Sequence, residues 1–175
     1  MLISRVELSE HLNDPNWIVF DCRHDLIDHH RGGQLYQAGH IPGAMFAPVE
    51  MALTGAKTGK NGRHPLPDPA DFANFLIHRG VTDSSQIVAY DDVGGQYASR
   101  LWWMARWIGL TNVSVLDGGL PKWITGGHPM RTTDPTPRAT GHFVVKSKSM
   151  ALRNTDEVAH GIAEAESLVV DARAP

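Results

Sequence analysis

Three short apolar runs stand out along the first 130 residues. Trp17-Ile18-Val19-Phe20 stops at Asp21, Gln86 to Tyr90 stops at Asp91, and Val113 to Leu116 stops at Asp117. Unbroken runs of this length between polar boundaries fit strands covered on both faces, as in parallel sheets. The segments between them take helical spacing. Ser4 to Leu12 opens with a Ser4 N-cap and carries Glu7 three residues later, a capping-box pattern. Pro69 to Arg79 sets Phe72, Phe75, Leu76 and Arg79 on one face and stops at Gly80. Ala98 to Ile108 is strongly apolar and closes at Gly109, and Pro121 to Thr125 ends at Gly126-Gly127. Alternating strand and helix predicts an α/β fold with a mostly parallel central sheet flanked by helices on both faces. In open sheets of this kind ligands bind beyond the carboxyl ends of the strands. The loops after Asp21, Asp91 and Asp117 are therefore the expected functional edge.

The character changes after Pro129. Arg131-Thr132-Thr133-Asp134-Pro135-Thr136-Pro137-Arg138 is polar and proline-bearing, which reads as a linker. A repeat follows. Asn154-Thr155-Asp156-Glu157-Val158 through Leu168-Val169-Val170-Asp171-Ala172-Arg173 echoes Ser4 through Ile18-Val19-Phe20-Asp21-Cys22-Arg23. Each copy reads as a capped helix, a connection, an apolar strand and Asp-x-Arg. The copies lie one domain length apart. Residues 1–130 are thus expected to form one whole domain, 131–149 a linker, and 150–175 the beginning of a second, similar domain.

Composition narrows the function. The 175 residues carry a net charge of −3 with 42% hydrophobic and 20% charged residues, which is globular and argues against general nucleic-acid binding. Cys22 is the single cysteine. It permits neither an intramolecular disulfide nor a cysteine-based zinc site, and a reducing cytoplasm is the expected compartment. Met1 to Arg5 is not followed by the apolar run of a signal peptide, and nothing approaches the roughly 20 apolar residues of a membrane helix.

Gly39-His40-Ile41-Pro42-Gly43-Ala44, preceded by Tyr36, makes a tight turn in which Pro42 fixes φ and Gly43 permits a positive one. His40 is expected to hold that turn. The stretch resembles the first signature of the rhodanese family of sulfurtransferases. Ile18 to Arg23 resembles the family's first strand, and Ile87-Val88-Ala89-Tyr90 its central strand. Val115-Leu116-Asp117-Gly118-Gly119-Leu120-Pro121-Lys122-Trp123 resembles the late strand, turn and Trp helix. Arg63-His64-Pro65-Leu66-Pro67 and Arg100-Leu101-Trp102-Trp103-Met104 are similar to the first domain of the tandem thiosulfate and 3-mercaptopyruvate sulfurtransferases.

The departures from that family matter more. The resemblance implies a cysteine directly after the central strand, in a loop whose backbone amides stabilise a persulfide. Asp91 stands there instead, and a carboxylate cannot carry a sulfane sulfur. The loop Asp91 to Ser99 is also longer than usual for the family. The resemblance therefore implies a non-catalytic domain of an enzyme that moves sulfur from thiosulfate or 3-mercaptopyruvate to cyanide or a thiol. Its expected partners are a small anionic sulfur donor and a second rhodanese domain of the same protein, with no nucleic acid, no membrane and no cofactor. Arg100 and His64 are the residues implied to bind the anionic donor, Arg100 through its two-pronged guanidinium. The plainer alternative pairs Arg100 with Asp91 or Asp92. A purely binding module, without catalysis anywhere, is the competing function.

Three other features invite chemistry. Cys22 lies beside Arg23 and His24, yet burial as a small apolar side chain is its expected role. A phosphatase reading needs an arginine six residues later, where Asp28 stands. His24-Asp25-Leu26-Ile27-Asp28-His29-His30 suggests metal ligands, and Asp28-His29-His30 matches the tripeptide of one phosphoesterase family. That family's further motifs are missing, so a solvated loop is expected and no metal site. Trp102, Trp103 and Trp107 share one apolar helix and are expected to pack the core.

Overall fold

The computed structural model describes residues 1–146, 152–165 and 167–170. Five strands form one sheet: β1 (Leu2–Ile3), β2 (Trp17–Asp21), β3 (Met45–Phe46), β4 (Gln86–Tyr90) and β5 (Val113–Leu116). All neighbours run parallel, in the order β1-β5-β4-β2-β3. The three runs anticipated from hydrophobicity are the three central strands. The two outer strands have two residues each, too few to leave a pattern.

Seven helices are described: α1 (Arg5–Glu10), α2 (Arg31–Ala38), α3 (Val49–Ala52), α4 (Pro69–Ile77), α5 (Ala98–Trp107), α6 (Gly119–Thr125) and α7 (Thr155–Ala163). The Ser4 side chain caps α1 by accepting from Glu7 N, and Asp68 caps α4 by accepting from Ala70 N. Successive strand residues feed opposite cores, which is why the runs show no polar alternation. Ile18, Phe20, Ile87 and Ala89 join α3, α4 and α5 on one face. Val19, Val88 and Tyr90 join Leu8 of α1 and Leu120 and Trp123 of α6 on the other. Trp107 is buried, while Trp102 and Trp103 pack against the same core from its margin.

The stretch expected to be a linker is tied to the domain as far as residue 146. Arg131 and His40 form an antiparallel bridge. Arg138 donates to Pro15 O and Trp17 O, Gly141 N to Ile77 O, and Lys146 N to Ile108 O. Phe143 is buried in the core beside α4 and α5. Prolines announced extended backbone here; one aromatic and a few backbone bonds convert it into a strap.

The repeat is half expressed. Helix α7 forms with the full capping box, Asn154 and Glu157 each bonding the other's backbone N–H. The strand expected over Leu168-Val169-Val170 is not formed, and these residues are 91%, 56% and 78% exposed. A strand needs a neighbour to satisfy its ladder, and none lies beside this one among the described residues. The echoed Asp171 and Arg173 lie outside the described residues. No described helix is long and apolar enough to cross a membrane.

The carboxyl edge is locked by a buried polar cluster. Strands β2 and β4 align Asp21 with Tyr90, and the Tyr90 hydroxyl donates to Asp21 Oδ2 at 2.7 Å while accepting from Ile41 N at 3.2 Å. Arg23 clamps the same carboxylate through Nε and Nη2 and also donates from Nη2 to Gly39 O at 2.6 Å. Tyr90→Phe leaves the buried Ile41 N without its acceptor and removes one of the three donors to Asp21 Oδ2. Equilibrium unfolding in urea should show a loss of about 1–3 kcal/mol. An unchanged midpoint would mean the hydroxyl carries none of this lock.

Candidate functional site

The loop after β4 is organised around one side chain. Asp91 is fully buried. Its Oδ1 accepts from Val93 N at 3.0 Å and Gly95 N at 2.8 Å. Its Oδ2 accepts from Tyr97 N at 2.7 Å and Ala98 N at 3.0 Å. Gly94 and Gly95 adopt φ of +80° and +94°, which turns the amides inward. The last two donors open α5, so the carboxylate also satisfies amides that a helix start leaves without partners and meets the positive end of its dipole. The Asp91 backbone carbonyl accepts from Leu120 N at 2.8 Å. A Cβ on Gly119 would lie 2.4 Å from that carbonyl oxygen, so the Gly-Gly turn before α6 is a packing requirement.

This is a cradle for negative charge at the carboxyl end of the central strand, filled by the chain's own carboxylate. It has no room for an incoming anion while Asp91 occupies it. Asp92, beside it, is partly buried, and burial raises its pKa against the pull of Arg23.

Arg100 leaves α5 in another direction. Nε donates to Leu53 O at 2.8 Å, and Nη2 donates to His64 O at 2.9 Å and Pro65 O at 3.1 Å. The anticipated alternative, an ion pair with Asp91 or Asp92, is not formed. Arg100 instead fastens the loop that carries His64. His64 Nε2 lies 2.7 Å from Glu50 Oε1, and Lys57 Nζ donates to Glu50 Oε2 at 2.6 Å. Burial pushes the Glu50 pKa up, but hydrogen bonds from Lys57 and His64 outweigh it and hold it at about 2.

His24 points into the same place. Its Nε2 is 3.8 Å from Glu50 Oε1 and has no hydrogen-bond partner. The Tyr97 ring packs edge-on against it at 5.1 Å. Burial lowers the His24 pKa, with His64 and His29 adding to the effect and Glu50 opposing it. The suspected ligand run is otherwise split: Asp25 and Asp28 accept from nearby loop amides. His24, Glu50 and His64 meet only through tertiary structure, so their cluster left no local signature.

The remaining expectations are met simply. His40 is buried, with Nδ1 2.8 Å from Tyr36 O and Nε2 3.2 Å from Thr133 O, and it stacks on the Tyr36 ring. It holds the turn in which Gly43 takes φ +78°. Cys22 is fully buried, and burial, then the Asp21 and Asp91 charges, push its pKa well up.

The fold and site define an α/β domain with a doubly covered parallel sheet and an anion cradle after its central strand. Residues 4–125 match the rhodanese-like domain family, and the chain belongs to that family. It is 44% identical over 128 residues to a Pseudomonas aeruginosa protein named probable 3-mercaptopyruvate sulfurtransferase, covering 72% of this chain and 45% of that one. It is 33% identical over 141 residues to rat thiosulfate sulfurtransferase, covering 79% of this chain and 46% of the relative. Among solved structures, the Escherichia coli 3-mercaptopyruvate sulfurtransferase SseA superposes with a TM-score of 0.86 at 30% identity, over 99% of this chain and 65% of that one. The chain spans about half the length of these two curated relatives.

Buried and protonated, the Cys22 thiol should resist an aromatic disulfide reagent at pH 8 in the folded protein and react fully once urea unfolds it. Rapid reaction of the native protein would show that this thiol is accessible after all.

Proposed function

We propose that this chain holds the first domain of a two-domain cytoplasmic sulfurtransferase, a domain with Asp91 in place of a cysteine after its central strand. The complete protein would take sulfur from thiosulfate or 3-mercaptopyruvate and pass it to cyanide or a thiol. The nucleophile is a cysteine of the second domain, and this domain supplies one wall of the cleft. The observation that carries the reading is the Asp91 carboxylate filling all four amides of the cradle. In a persulfide-forming loop those amides stabilise sulfur-borne negative charge; here that capacity is spent on a residue that cannot accept sulfur. The lengths of the relatives and the capped helix α7, which restarts the pattern of α1, support a tandem arrangement.

In this reading Arg100 and His64 serve the donor site together. Arg100 sets the loop through three backbone carbonyls, and His64 with the exposed Arg63 beside it is what that loop presents to a small anion.

The test is thiocyanate formation from cyanide with each donor. The 175-residue chain and its Cys22→Ser variant should both give no turnover, while a longer product carrying this domain with the second one turns over. Its activity should vanish when the cysteine after the second domain's central strand becomes serine. Turnover by the short chain that is lost in Cys22→Ser would overturn the proposal. Inactivity of the long product would favour a module that only binds.

A further inference from the structure

We propose that His24, Glu50 and His64 form a binding site for a divalent transition metal of the zinc class. The three candidate ligand atoms lie within 4.8 Å of one another. They come from the loop after β2, from α3 and from the loop fastened by Arg100, so the fold assembles the cluster independently of chain proximity. Two imidazole nitrogens and one carboxylate oxygen suit zinc and its neighbours, and do not suit magnesium or calcium, which favour oxygen throughout.

The second observation is His24 itself. Its side chain is 3% exposed, and its Nε2 is buried without a hydrogen-bond partner while facing Glu50 Oε1. A buried polar atom left so costs free energy, and a cation between it and the carboxylate would remove that cost. Binding would draw the three atoms, now within 4.8 Å of one another, onto one ion. Ligands on a tetrahedral zinc ion at about 2.0–2.1 Å stand roughly 3.3 Å apart. The His64–Glu50 contact of 2.7 Å would open, and the His24–Glu50 contact of 3.8 Å would close, each by roughly half an ångström. Metal binding at His64 Nε2 leaves the ring proton of a neutral imidazole on Nδ1, and from an imidazolium it releases the Nε2 proton to solvent.

The surroundings serve the same purpose. Lys57 holds Glu50 Oε2 and leaves Oε1 as the ligand atom. Such outer hydrogen bonds orient metal ligands elsewhere. Tyr97 walls one side of His24. On the open side His29 Nδ1 stands 3.8 Å from the same Glu50 oxygen and is half exposed. It is the available fourth ligand, with water as the other occupant. The proposal does not rest on sulfur transfer, because every ligand belongs to this domain.

The test is calorimetric titration of the tag-free, chelator-treated 175-residue chain with zinc chloride, together with the visible spectrum of its cobalt(II) form. One equivalent of zinc should bind, cobalt should give the intense bands of a four-coordinate site, and zinc should raise the melting temperature. His24→Ala and Glu50→Gln should each weaken binding by more than about 100-fold, beyond the range for loss of a ligand's outer partner. His142→Ala, an exposed histidine elsewhere, should bind as the parent does. Circular dichroism checks each fold, and Glu50→Gln, nearly isosteric, keeps the test open if His24→Ala unfolds. Absence of a one-to-one site, or undiminished binding in folded Glu50→Gln, overturns the proposal.

Discussion

The four amide bonds to the Asp91 carboxylate are the constraint on which the functional edge depends. They shape the loop after the central strand, begin α5 and fix its direction. The same residue's carbonyl anchors α6 through Leu120. Helix α5 then presents Arg100, whose guanidinium ties down Leu53, His64 and Pro65. From Asp91 to the His24–Glu50–His64 cluster there is thus a continuous line of short, directed contacts. Tyr97 closes it, with its amide on Asp91 and its ring on His24.

That constraint is electrostatic as well as geometric. An inward ring of amides is costly to bury unless something negative fills it. Here the Asp91 carboxylate does so. The cradle also starts a helix, so it serves the fold as well as the charge it holds. Cys22, one strand away, is sealed in the core beside two carboxylates.

Much of this was legible in the sequence. The three long strands, α1, α4, α5 and α6 followed from apolar runs and caps, and Asp91 was marked as the odd residue by its place after Tyr90. Features set by tertiary contact were not legible. Strands β1 and β3 are two residues long and exist only through their neighbours. Phe143 looked like part of a polar connection until its burial made residues 131–146 a strap. The Leu168-Val169-Val170 run has strand composition but no ladder partner. Among site residues, the metal-like motif Asp28-His29-His30 drew the eye, whereas His24 met Glu50 and His64 across the fold. Arg100 was expected to bind an anion or pair with an aspartate, and its carbonyl partners could not be foreseen from residue type.

The most direct test of the account is the unfolding free energy of Asp91→Asn. Asparagine keeps the shape but removes the charge and turns an NH2 group toward two amide donors. If the carboxylate anchors the loop and α5, the variant should lose at least about 2 kcal/mol in urea, since bonds to charged groups run about 1.5–3 kcal/mol each. A change within about 0.5 kcal/mol would contradict the account and show that the loop is held by other contacts.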